Sequence, residues 1–163
     1  PYFIPINKHG LNSRENIIRL EELFESDKCI VIFPSGLVSR KKNGIVKDLE
    51  WRKTFVTKAK KHNKPIYPVY ISGQNSNRFY KIAKWRSLIG IKINLEMFFL
   101  VDEMFKQKGN TIKITMGKLI EPKLLDNKKN DSEWAQAIKN HVYKIQNNIN
   151  FEFIESIKNE KNY

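Results

Sequence analysis

The 163 residues carry 30 Lys and Arg against 17 Asp and Glu, a formal charge of +13, with 40% apolar and 12% aromatic residues. That composition excludes a disordered chain and suits one domain with a real core. It excludes a transmembrane span, because the longest apolar runs, Cys29 to Phe33 and Met97 to Val101, fall far short of the ~20 residues a spanning helix needs.

In chain order, Tyr2 to Ile6 reads as a strand and His9-Gly10 as a turn. Ser13 is placed to cap a helix running to about Ser26, with Ile17, Leu20 and Phe24 on one stripe. Lys28 to Phe33 is nearly continuously apolar, as buried parallel strands are, and it stops at Pro34 and Gly36. Cys29, the one cysteine, is in that run and has no disulfide partner. A buried, inert thiol is expected there, in the middle of the strand.

A loop with Arg40, Lys41 and Lys42 follows, then a helix from about Asp48 to His62, then a strand from Ile66 to Ser72. Lys58, Lys60, Lys61 and Lys64 crowd the end of that helix and suit its dipole. Gly73 to Ser76 makes a turn into a basic, aromatic helix, Asn77 to Leu88, closed by Gly90. Asn94 to Lys106 is ambiguous: Leu95, Met97 and Phe99 alternate like a strand, while Met104 and Phe105 look helical.

Lys108-Gly109-Asn110 turns into the strand Thr111 to Met116, with Ile112, Ile114 and Met116 on one face. Asn130 or Asp131 begins a last helix whose buried stripe is Ile138, Val142, Ile145 and Ile149. The charged tail within 151–163 is expected to fray. Alternation of this kind predicts an α/β fold, a central mostly parallel sheet flanked by helices.

The link between the second and third strands carries chemistry. Backbone N–H groups and cations at the end of a buried strand receive anionic or polar ligands in open α/β sheets. Phe33, Pro34, Ser35, Gly36, Ser39 and Arg40 are therefore candidate substrate-binding residues. As a string this segment resembles the third block of the phospholipid and glycerol acyltransferase family, usually Phe-Pro-Glu-Gly-Thr-Arg-Ser-Arg. Phe33, Pro34, Gly36, Ser39 and Arg40 fit it, while Ser35, Leu37 and Val38 depart. Ile66-Tyr67-Pro68-Val69 resembles the fourth block, and Trp51-Arg52-Lys53-Thr54 is a looser match to the family's Phe-Lys-x-Gly.

Asp48-Leu49-Glu50-Trp51 and the stretch Glu96 to Lys106 resemble a bacterial, hemolysin-like subgroup tied to amino-acid-containing lipids. The resemblance runs roughly from Ile4 to Tyr143. It implies acyl transfer from an acyl-carrier protein or acyl-CoA donor to a hydroxyl of a lysolipid or amino-acid-lipid acceptor. With Ser35 and Val38 in place of the family's glutamate and first arginine, a phosphate-bearing acceptor is not expected. Lys8 stands where the second block has an arginine and is a further candidate for holding a polar acceptor.

The resemblance also implies a catalytic His with an Asp four or five residues on. Ser13 and Arg14 follow His9 at those spacings, Ile66 and Tyr67 follow His62, and Ile145 and Gln146 follow His141. No catalytic residue is thus assigned within the chain. The dyad is expected upstream, and these residues alone are expected to be inactive. No His/Cys/Asp cluster has metal-ligand spacing, and no cofactor is called for.

The charge balance favours anionic partners, against the plain alternative that the lysines only solvate the surface. Arg78-Phe79-Tyr80-Lys81 with Lys84-Trp85-Arg86 suits either an anionic membrane surface or ordinary packing. On the wheel Arg86 falls inside the Phe79, Ile82, Ala83 and Ile89 stripe. Asp102 and Glu103 are adjacent, so they do not face one another, and they read as a solvated turn or cap. The expected location is cytoplasmic, peripheral to the inner face of the membrane. The alternative function is a basic nucleic-acid-binding module, supported by charge alone, with no helix-turn-helix, zinc-ligand or RNA-recognition signature visible.

Overall fold

Helix α1 (Arg14–Glu25) begins where the Ser13 hydroxyl accepts the Asn16 amide at 3.2 Å, and it ends at Ser26. The structure, a computed structural model, describes residues 13–91, 93–154 and 157. The expected strand Tyr2–Ile6, the turn His9-Gly10 and the candidate Lys8 lie outside the described residues. On the α1 stripe Phe24 is buried and stacks on His62, whereas Ile17 is exposed.

Residues 28–33 depart from expectation. They form no strand, and Val31 and Phe33 are 77% and 74% exposed. Cys29 is exposed rather than buried. A strand needs neighbours to take its amide and carbonyl groups, and among the described residues no strand pairs with this segment.

Residues 40–47 form a hairpin instead of a plain basic loop. In it β1 (Arg40–Lys42) pairs antiparallel with β2 (Ile45–Lys47), Lys41 opposite Val46. Asn43 and Gly44 turn the corner at φ of 50° and 81°, the two positive values a type I′ turn requires. Consequently the next helix, α2 (Thr54–Lys61), starts later than Asp48. Its lysines do more than meet a dipole. Lys58 and Lys61 bind Glu21 of α1, and Lys60 binds Asp131 at 2.9 Å.

The strand β3 (Val69–Ile71) pairs antiparallel with β4 (Ile114–Met116), Tyr70 opposite Thr115, and Ile66 bridges Ile120. The face shared by the apolar residues turns outward. Ile112, Ile114 and Met116 are exposed and Thr115 is buried, because the side of β3 that carries Tyr70 is covered by Tyr143, packed edge-on at 5.9 Å.

Helix α3 (Asn77–Leu88) is capped by Ser76, whose hydroxyl accepts the Phe79 amide at 3.3 Å. The ambiguous 94–106 stretch is helical: a 3₁₀ turn over Leu95–Phe99 runs into α4 (Leu100–Phe105). Helix α5 (Asp131–Ile145) opens on a full capping box between Asn130 and Glu133. Its Ile138, Val142 and Ile145 are buried, while Ile149 lies past the helix end and is exposed.

The main core lies between α2 and α5, where Trp51, Phe55, Val56, Trp134, Ile138 and Val142 pack together with Ile120 and Leu125. Phe153 is buried too, its ring 5.3 Å from that of His141, and the Phe151 ring lies 6.0 Å from the same imidazole, so both pack on α5. Helices with small two-stranded sheets make this an α/β fold, and the strand pairs among the described residues are antiparallel.

Candidate functional site

The candidate loop begins as a β-turn. The Gly36 amide donates to the Phe33 carbonyl at 3.1 Å, Pro34 takes the second turn position, and Gly36 has a φ of 64°. The Arg52 amide donates to the Pro34 carbonyl at 3.1 Å, closing the loop onto the entrance of α2. Ser35 donates its hydroxyl to the Leu37 carbonyl at 2.6 Å, and Ser39 donates its own to Asp48 Oδ1 at 2.5 Å. Both hydroxyl hydrogens are therefore engaged within the loop. Phe33 is exposed, and Pro34, Ser35, Gly36 and Ser39 are half-buried.

Asp48 is the hub of this loop. Its second oxygen accepts the Trp51 indole N–H at 3.0 Å, and its amide donates to the Tyr143 hydroxyl at 2.8 Å. Burial pushes the Tyr143 phenol up to about 12, so it stays protonated. Gln136 brackets the Trp51 backbone from α5, taking its amide at 3.3 Å and giving an N–H to its carbonyl at 2.7 Å. Lys139, also on α5, caps the Leu49 carbonyl at 2.9 Å. One helix thus supplies three side chains that hold the second half of the loop.

The first half is held from the other side. Arg40 gives Nη2 to Glu96 Oε1 at 2.6 Å and Nη1 to the Val38 carbonyl at 2.8 Å. Glu96 is fully buried, and its other oxygen accepts Arg86 Nε at 2.8 Å. Arg86 is further fixed by the Ile91 carbonyl at 2.8 Å. A buried carboxylate between two guanidiniums leaves a cluster with one net positive charge, and the Arg40 side chain is still 21% exposed. Such a cluster can hold its geometry and receive one more anion. Lys41 adds a bond to Asn77 at 2.7 Å, at the start of α3.

Glu103 is buried, not solvated. It accepts both the backbone amide and the hydroxyl of Ser76, and it takes Lys106 at 2.9 Å. Burial opposes the charge of Glu103, but those partners outweigh it and hold the carboxyl below its ordinary range. The residue therefore fastens α4 to the start of α3. Asp102, exposed, pairs with Lys106 at 2.6 Å.

The described histidines are structural. His141 is fully buried, and burial, with the nearby Lys144 charge, lowers it to about 4, keeping it neutral. His62 meets Glu21 at 2.8 Å, but its ring stacks on Phe24 and is only 9% exposed, and the carboxylate is shared with two lysines. That pair clamps α1 to α2. Among the described residues no cluster of three or more His, Cys, Asp or Glu could hold a metal ion, and no helix is long and apolar enough to cross a membrane.

A groove of about 600 Å³ lies between α3 and residues Ile91 and Leu95. Ile82, Trp85, Ile89, Ile91 and Leu95 form its apolar wall, and Arg78, Lys81 and Arg86 supply its charge. None of Phe33 to Arg40 lines it; Arg86 is the link, since it borders the groove and shares Glu96 with Arg40.

Three functional supports are missing from a residue-by-residue reading of the loop: Asp48, Glu96 and Arg86. Arg86 left a trace, a cation inside an apolar helical stripe, which calls for a buried anion. Glu96 left none, because nothing local distinguishes it from a surface glutamate.

A β-turn loop is thus braced by α5 on one flank and by a buried Arg–Glu–Arg cluster on the other, on an α/β scaffold. Residues 1–151 match the family described as Acyltransferase, and the chain belongs to that family. It is 40% identical over 145 residues to a lyso-glycine lipid O-acyltransferase of Bacteroides thetaiotaomicron, and 43% identical over 145 residues to a lyso-glycine lipid O-acyltransferase of Phocaeicola vulgatus. Each match covers 89% of this chain but 53% and 52% of the relative, so the chain spans about half the length of these curated relatives. No solved structure matches.

Proposed function

We propose that residues 1–150 are the C-terminal part of one acyltransferase domain. It moves an acyl group from a thioester, on acyl-carrier protein or coenzyme A, to a hydroxyl of a lysolipid or amino-acid-containing lipid. The hydroxyl proton goes to a His oriented by an Asp, both on polypeptide outside these 163 residues. The freed oxygen attacks the thioester carbonyl, the tetrahedral intermediate collapses with loss of the thiolate, and the imidazolium returns the proton to sulfur. These residues alone transfer nothing.

In this reading Phe33 and Pro34 shape the acceptor side of the cleft, and Gly36 lets the backbone approach closely. Arg40, with Lys8, meets the acceptor's carboxylate or headgroup, and Ser35 and Ser39 offer their oxygens. Segment 28–33 belongs to a central, mostly parallel sheet completed by the rest of the protein. Support comes from the exposure of Val31 and Phe33, whose burial would stabilise such a sheet by roughly 1.5–3 kcal/mol each. The enzyme works in the cytoplasm at the inner, anionic face of a membrane, which the +13 formal charge and the exposed Leu88, Phe98 and Phe105 favour.

The observation that carries the reading is the identity to two lyso-glycine lipid O-acyltransferases across 89% of the chain. The test is Arg40→Ala in the complete enzyme, which is expected to raise the acceptor KM or abolish turnover. Unchanged kinetics reject the role of Arg40. Acyl transfer by these 163 residues alone rejects the placement of the dyad.

A further inference from the structure

The groove beside α3 has features that the loop does not explain. Trp85 and Ile89 are 68% and 62% exposed within it, an unfavourable display of large apolar surface unless something covers it. Its volume of about 600 Å³ falls inside the range of roughly 300–1,000 Å³ common for small-ligand sites. Every charged residue lining it is a cation: Arg78, Lys81 and Arg86.

The nearest acid, Glu96, lies fully buried beneath Arg86 and is shared with Arg40, so the cluster keeps a net positive charge. Arg86 itself is held at three points: twice by Glu96, at 2.8 and 3.3 Å, and once by the Ile91 carbonyl at 2.8 Å. A guanidinium immobilised in the wall of an apolar trough is preorganised for a single anionic head, because little side-chain freedom is left to lose.

We propose that this groove binds one single-chain anionic lipid, its apolar chain along Ile82, Trp85, Ile89 and Leu95 and its acidic head at the cationic cluster that Arg86 forms with Arg40 through Glu96. A bilayer fits less well. The surface is concave, and the Arg86 side chain is only 13% exposed, too deep for a headgroup plane to reach. The choice of lipid rests on the acyltransferase reading, which calls for a lysolipid or amino-acid-lipid acceptor; the shape and charge of the site do not depend on it.

Trp85 provides the signal, since Trp51 and Trp134 are already buried. The chain is titrated with N-dodecanoylglycine below its micelle concentration, beside uncharged dodecanamide and anionic phosphatidylglycerol vesicles. A saturable blue shift is expected with the acylglycine, at least tenfold weaker with the amide, and absent from Trp85→Phe. Ile91→Glu and Lys81→Glu, both at exposed positions, are each expected to weaken binding about tenfold while thermal unfolding stays unchanged. Equal affinity for the amide, an unaffected Ile91→Glu, or a Trp85 response to vesicles alone would overturn the proposal. Because binding is read without turnover, the two readings fail separately. A complete enzyme that turns over while Trp85 stays silent sinks the groove alone, and intact binding without acyl transfer sinks the activity alone.

Discussion

Ser39 donates its hydroxyl hydrogen to Asp48 across a 2.5 Å bond that closes the hairpin's two ends onto each other. The same carboxylate takes the indole of Trp51, and Trp51 is part of the α2–α5 core. Thus the orientation of the candidate loop is set by the core through one aspartate.

Asp48→Ala removes two accepted hydrogen bonds to a half-buried carboxylate. Hydrogen bonds to charged groups contribute about 1.5–3 kcal/mol, so a total loss near 3 kcal/mol is expected in urea unfolding, with Asp48→Asn losing less. The Trp51 indole also loses its partner, and a red-shifted, less ordered Trp51 signal should accompany the change. Stability within 0.5 kcal/mol of wild type, an order-of-magnitude threshold for a neutral surface substitution, would remove Asp48 from this role.

Glu96→Ala sets Arg40 and Arg86 against each other with no anion between them. Breaking a buried pair from one side costs about 3–5 kcal/mol, more than most single substitutions. Arg40→Ala is expected to cost less, because Arg86 still compensates Glu96 and Arg40 is part-exposed. A reversed order of the two in chemical denaturation would mean that the carboxylate is not the centre of the cluster.

His141 predicts an acid-sensitive core. Its ordinary value is 6.5 and its folded value about 4, so between those limits the unfolded chain binds the extra proton. Stability therefore rises with pH across that window. The contribution is complete above about 6.5 and lost below about 4, amounting to about 3 kcal/mol at 1.36 kcal/mol per unit. Glu21, lowered to about 2 chiefly by Lys58 and then His62, adds a loss of the same sign but between 4.5 and 2. His141→Leu should flatten the unfolding profile above pH 4.5 and leave the lower limb. An unchanged profile in that variant would assign the slope elsewhere.

Helix ends were readable from local chemistry. Ser13, Ser76 and Asn130 cap α1, α3 and α5 through bonds made by their own side chains. Strands were less readable. The run 28–33 is as apolar as a buried strand, yet its neighbours are not chosen by its own residues. The 112–116 alternation was visible, but which face turns inward is decided by Tyr70 and Tyr143, far away in the chain. The hairpin at 40–47 had a signal, Asn43-Gly44, hidden by the charges around it. For the site, the turn at Pro34 and Gly36 and the cation Arg40 stand in the sequence. What fixes Arg40 is a contact with Glu96, 56 residues on, and no local pattern encodes such a pairing.

Gly117 tests how tightly β4 leads into the core. A Cβ placed there would lie 3.0 Å from Ile145 Cδ1 and 3.1 Å from Pro68 Cγ. Pro68 cannot swing away, because its carbonyl takes the Gly117 amide at 2.9 Å, and Ile145 is fully buried at the end of α5. Gly117→Ala is therefore expected to cost about 1–3 kcal/mol, as overpacked sites do. Ile145→Val removes the nearest atom and alone costs about 0.5–1.5 kcal/mol. In the double variant the new methyl occupies space the isoleucine has vacated, so the combined loss should fall short of the sum by at least 0.5 kcal/mol, the lower end of coupling between touching residues. Strict additivity in urea unfolding would show that the crowding lies with Pro68 rather than with α5.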